Sequence, residues 1–204
     1  MKFDTFFTNG KYLMVTHFII SLLLALGPPL KQFSLVHPTS LTAHLGDTAR
    51  KPIVSIEESR IDSMSLLVIK DTVGSYDSLQ LKLGKDYSQI FSFVFQQGLH
   101  PGKTLATYFS FANPVAFETA VEVNRFPERA LGRIEFKKTE AGKVVIAHYQ
   151  GPYSQVSMAY DAIRNFIKVN GEEPIDHPFE VYLNNPSLVK DPFDLKTDLY
   201  QRLR

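Results

Sequence analysis

From residue 66 onward, apolar positions change rhythm at regular intervals: every second residue, then every third or fourth, then every second again. "LLVIKDTVGSY" reads as a strand that ends on Gly74-x-Tyr76, and Leu79, Leu83, Tyr87, Ile90 and Val94 then form a helical stripe that stops at Gly98. "KVVIAHYQGPY" repeats the strand and its Gly151-x-Tyr153 ending, and Val156, Ala159, Ile163 and Phe166 repeat the stripe as far as Gly171. Ser78 and Ser154 stand where N-caps belong. Each helix is followed by a strand, "LATYFSFANP" and then "FEVYLNNP", so that Tyr108 corresponds to Tyr182 and Asn113-Pro114 to Asn185-Pro186. "FETAVEV" and "KTDLYQRL" close the two halves. Gly74 and Gly151 lie 77 residues apart, and Tyr108 and Tyr182 lie 74 apart.

The pattern predicts an α+β domain over residues 63–204. It consists of tandem strand-helix-strand-strand repeats, about 66–124 and 133–204, related by a pseudo-twofold, with an antiparallel sheet and the helices on one face. Neither half can bury both its helix and its sheet alone, so the two pack together. On the strand at 178–183, Phe179, Val181 and Leu183 share one side, and Glu180 and Tyr182 share the other. If the helices cover the Phe179 side, the opposite face forms a central ligand cleft between the halves. Strand parity then brings Glu180, Tyr182 and Tyr108 to that cleft, joined by Glu118 and Tyr200 from the closing strands.

The N-terminal third follows other rules. After a tail at 1–11, residues 12–27 hold an apolar run from Tyr12 to Leu26, broken only by Thr16, His17 and Ser21. As a helix the run spans about 22 Å, the length of a signal-peptide core or a short anchor. Lys2 and Lys11 precede it, which predicts a single-pass membrane protein with its C-terminal domain outside the cytoplasm, or an exported one if the segment is cleaved. Residues 28–62 carry four prolines and no sustained period, and read as a linker with one short ordered piece at "KPIVSIEE".

Composition narrows the chemistry. Twenty-two basic and 21 acidic residues leave a net charge of +1, which supplies no field for nucleic acid. With no cysteine the chain has neither disulfides nor thiolate ligands, and its six histidines show no paired spacing, so no metal or other cofactor is expected. "GLHPGKT" at 98–104 is one residue short of a phosphate loop and runs from helix to strand, the wrong order. A proline occupies the middle of Asn185-Pro186-Ser187, which blocks glycosylation there. An acid ringed by aromatics suits flat, positively charged guests, because each cation–π contact adds about 0.5–2 kcal/mol once water is excluded.

"LLVIKDTVGSY", "FETAVEV", "GKVVIAHYQGPY", "AYDAIRNFIKVNG", "PFEVYLNNP" and "DPFDLKTDLY", in that order and spacing, resemble the GyrI-like small-molecule-binding domain. That family includes the effector-binding domains of AraC-type and multidrug-responsive transcription activators. The resemblance covers about residues 64–204 and is most specific at Gly151-Pro152-Tyr153 and at Glu180-x-Tyr182. It implies a central cleft for small, often aromatic and cationic molecules, with a glutamate at the position of Glu180 facing the ligand. Two departures stand out: Gln201-Arg202 follows the Thr197-to-Tyr200 pattern where relatives carry proline, and residues 1–63 contain no helix-turn-helix pattern. The reading is a small-molecule sensor or sequestration domain behind residues 12–27. The alternatives are a hydrolase of electrophilic, cyclopropane-type compounds using the cleft glutamate, which some family members are, and a module that binds a protein partner.

Overall fold

The computed structural model describes residues 50–129 and 132–204. The tail, the apolar run at 12–27 and the linker up to residue 49 lie outside the described residues. Eight strands form one antiparallel sheet: β1 (Ile53–Ile61), β2 (Ser65–Val73), β3 (Pro101–Ser110), β4 (Val115–Val123), β5 (Glu135–Lys138), β6 (Gly142–Gln150), β7 (Pro174–Tyr182) and β8 (Lys196–Leu203). Helix α1 (Tyr76–Gln96) follows β2, and α2 (Ser157–Asn170) follows β6. The strand order is β1-β6-β8-β7-β3-β4-β2-β5. Each half thus supplies a strand, a helix and two more strands, as the repeating pattern predicts, and β7 and β3 meet at the middle.

The helical stripes seat as their spacing requires. Tyr87, Ile90 and Val94 of α1 are buried with Leu67 and Ile69 of β2 and Val121 of β4, while Ala159 and Ile163 of α2 are buried with Val145, Ala147 and Leu199. Burying side chains of this size contributes about 1.5–3 kcal/mol each, which makes these two seams the main attachment of the helices. α2 ends at Gly171, whose φ of 66° is the left-handed value that glycine adopts without a Cβ penalty. The helix starts differ from the sequence reading. α1 begins at Tyr76 behind Ser75, and Ser78 Oγ lies 3.0 Å from Ser75 Oγ instead of capping the helix. The chain enters α2 through a 3-10 turn at Tyr153–Gln155, so Ser154 sits in that turn.

The linker expectation needs correcting over its last part. Residues 53–61 form β1, paired along its length with β6 from Ile53 opposite Gln150 to Ile61 opposite Gly142. Val54 and Ile56 pack against the α2 cluster. Their two-residue spacing is too short a run to stand out along the sequence, and only the β6 edge makes it a strand.

Register shows which residues share a face, because directly opposed residues of an antiparallel pair point the same way. Leu199 faces Glu180, Glu180 faces Ala106, Ala106 faces Thr119 and Thr119 faces Ile69. That row begins under α2 and ends under α1, so both helices lie on the side of Glu180. The adjacent row runs Tyr200, Phe179, Thr107, Glu118, Lys70 and points the other way. Two expectations are overturned here. The helices cover the face of Glu180, not that of Phe179 and Val181, and Glu118 and Tyr200 stand on the opposite side of the sheet from Glu180.

Candidate functional site

α1 packs on β2 and β4, and α2 on β1, β6 and β8. Over the central strands β7 and β3 the helices leave a gap. It is a cleft of about 350 Å³, floored by the sheet and walled by α1 and by Tyr153, Ser154 and Val156 of the turn that leads into α2. Glu180, Tyr182 and Tyr108 all line it. The structure therefore gathers three of the five residues singled out in the sequence, and does so between the helices.

Glu180 is 4% exposed. One carboxylate oxygen accepts a 2.9 Å hydrogen bond from the Tyr160 hydroxyl on α2, and the other accepts one of 2.9 Å from Tyr182. Since Tyr182 spends its proton on Glu180, the 3.2 Å contact between the Tyr182 and Tyr108 hydroxyls has Tyr108 as the donor. Among the described residues no lysine, arginine or histidine forms an ion pair with Glu180. Burial accordingly pushes its carboxyl up from the ordinary value, with the two phenols pulling the other way. Burial, and after it the Glu180 charge, also raises Tyr182 and Tyr153, so both stay neutral donors at physiological pH.

Aromatic rings complete the walls. Phe111, from the β3–β4 loop, stacks on Tyr108 at 5.3 Å and meets the edge of Tyr160 at 5.6 Å, and Tyr153 meets Tyr182 edge-on at 5.9 Å. Phe111 is 51% exposed and stands at the mouth. Tyr153 reaches the wall because the chain turns sharply at Gly151, where a Cβ would lie 2.8 Å from both the Tyr149 hydroxyl and Pro52. The Tyr149 hydroxyl donates to the Pro152 carbonyl at 2.7 Å and pins that turn.

Glu118 and Tyr200 take structural roles. Glu118 is buried and accepts from Lys137 at 2.6 Å, and Tyr200 stacks on Phe179 at 5.1 Å. Sequence reasoning missed Tyr160 as the second donor to Glu180, although it falls one helical turn after Val156 on the same side of α2. It also missed Phe111. His148 bridges two carboxylates, Asp198 at 2.8 Å and Glu57 at 3.1 Å, which ties β1 to β6 and β8. Among the described residues no group of histidine and acidic side chains is arranged to hold a metal ion.

Residues 64–204 match the family model of the GyrI-like small molecule binding domain. The chain belongs to the GyrI-like family. The family match starts after β1, which the structure adds at the sheet edge. Among solved structures, the chain resembles EcmrR in its complex with DNA, at 19% identity and a TM-score of 0.65, over 74% of this chain and 57% of that one. The present chain thus spans little more than half of EcmrR, and the EcmrR C-terminal domain alone matches at 17% identity and a TM-score of 0.61, over 74% of this chain and 98% of the domain. A hydrolase from Listeria innocua matches at 12% identity and a TM-score of 0.55, over 73% and 91% of the two chains. At these identities the likeness is one of fold. No curated protein matches the chain.

Proposed function

We propose that this GyrI-like domain captures small, flat, positively charged aromatic molecules in the cleft between α1 and α2, with Glu180 as the countercharge. The observation that carries the reading is a glutamate 4% exposed whose two carboxylate oxygens are held, among the described residues, by the hydroxyls of Tyr160 and Tyr182. A buried carboxylate without a cation is costly, and an incoming cation relieves that cost at the moment it binds. The aromatic walls supply apolar area and cation–π attraction. The apolar run at residues 12–27 supports a membrane tether or an export signal, which would place the cleft outside the cytoplasm. That run lies outside the described residues, and among the described ones no helix is long and apolar enough to cross a membrane.

The test is binding to the full chain of the planar cation proflavine and of neutral anthracene derivatives of like shape, with Glu180→Gln beside it. Proflavine bound in preference to the neutral rings, with the preference lost in the glutamine variant, supports the reading. Equal affinity for charged and neutral rings rejects it. A second reading, hydrolysis of an electrophilic guest, draws on the same carboxylate, held beside phenol donors in an acid–base arrangement. It requires turnover that Glu180→Gln abolishes while binding persists.

A further inference from the structure

α1 carries a glycine in its interior, at position 84, where glycine is about 1 kcal/mol worse than alanine for helix stability. The buried residues that seat α1 on the sheet are Leu79, Tyr87, Ile90, Phe91, Phe93 and Val94, and Gly84 is not among them. Gly84 instead lines the cleft, one turn after Gln80 and one turn before Tyr87, and is half-buried there. At this point the α1 wall is bare backbone, facing a cleft whose lining includes the rings of Tyr108, Phe111, Tyr153 and Tyr182. Gln80, Gly84 and Tyr87 all line the cleft, so helical spacing puts a side chain at 84 on the cleft side of α1.

We infer that Gly84 is a specificity-determining residue: by keeping side-chain atoms off the α1 wall, it opens the cleft to planar multi-ring cations and lets a ring lie against the helix backbone. The inference rests on the cation reading above and narrows it to a ligand class. A compact cation needs only the Glu180 end of the cleft and is indifferent to position 84. A fused-ring cation reaches from Glu180 toward α1 and is not.

The experiment uses the full chain and two probes, proflavine followed by fluorescence anisotropy and tetramethylammonium followed by thermal shift at millimolar concentration. The variants are Gly84→Ala, Gly84→Leu, Glu180→Gln and, as a control of equal bulk on the exposed side of α1, Lys85→Leu. Gly84→Leu is expected to weaken proflavine at least tenfold while leaving the tetramethylammonium shift in place. Gly84→Ala is expected to weaken proflavine less and to raise the melting temperature of the free protein, which separates lost binding from lost folding. Lys85→Leu should bind both probes as the unmodified chain does. Proflavine affinity within threefold of the unmodified chain in Gly84→Leu, with binding abolished in Glu180→Gln, overturns the role of Gly84 and leaves the cation reading standing. Equal loss of both probes in a folded Gly84→Leu protein also overturns it, because the residue then does not select by size. Proflavine binding that is absent from the unmodified chain, or unaffected by Glu180→Gln, overturns the cation reading and this inference with it.

Discussion

Replacing Tyr160 with phenylalanine removes a single oxygen atom, the one that donates to Glu180 at 2.9 Å. The ring remains, so its edge contact with Phe111 at 5.6 Å is kept and the loss is confined to the hydroxyl. Glu180 is 4% exposed, so water has little access to the abandoned oxygen. A hydrogen bond to a charged group contributes about 1.5–3 kcal/mol and one to a neutral group about 1 kcal/mol. The variant should therefore lose roughly 1.5–3 kcal/mol of stability where Glu180 is ionised, and less in acid, where it is protonated. For a domain of this size the larger loss corresponds to a fall in Tm of about 2–4 °C per kcal/mol. Burial already holds the Glu180 carboxyl up against the pull of two phenols, and with one phenol gone it moves higher still. The pH above which proflavine binds tightly should rise with it. Denaturant unfolding of the full chain at pH 5 and pH 8, with proflavine titrations across that range, checks both effects. A variant within about 0.5 kcal/mol of the unmodified protein at both pH values, with an unmoved binding midpoint, would refute the reasoning.

Three further outcomes follow from the same geometry. The Glu180 carboxyl is raised above its value of 4.5, so its stabilising contribution is present below that pH and is lost as pH rises through the folded-state value; Glu180→Gln should gain stability relative to the unmodified chain from about pH 4.5 upward, and a gap that is flat or opens the other way in pH-dependent unfolding contradicts this. Burial pulls the His148 imidazole down, but its hydrogen bonds with Asp198 and Glu57 outweigh that and hold it above 6.5, so the added attachment of β1 is complete below pH 6.5 and weakens as pH rises; hydrogen exchange of β1 amides, corrected for intrinsic rate, should show this loss, and His148→Gln should abolish it. A fragment of residues 63–204 lacks Val54 and Ile56 against α2 and should be less stable than one of residues 50–204 by about 2–4 kcal/mol, whereas equal urea midpoints would mean that β1 is dispensable.

Much of the architecture was legible in local spacing. Of the stripe residues the period picked out, Leu79, Tyr87, Ile90, Val94, Ala159 and Ile163 are buried and Leu83, Val156 and Phe166 partly so, and the repeated strand endings announce a second strand-helix-strand-strand unit. β1 was not legible as a strand, because Val54 and Ile56 are only two apolar positions and acquire their partner in β6 some 90 residues later. Tyr160 shows the limit at the site: its side of α2 could be read from Val156, but not its meeting with a carboxylate 20 residues away. Gly84 passed unmarked inside the helical stripe, and its meaning depends on the cleft beside it.

Local spacing settles which side chains share a face, because the two-residue period of a strand and the 3.6-residue period of a helix are properties of the backbone. It therefore put Glu180 with Tyr182, Phe179 with Val181, and Leu83 with Tyr87. Which face of the sheet receives the helices is a separate matter, decided by how the α1 and α2 seams pack over the outer strands from both halves. That choice brought Glu180, Tyr182 and Tyr108 beneath the gap between the helices, and it left Glu118 and Tyr200 on the far side of the same sheet.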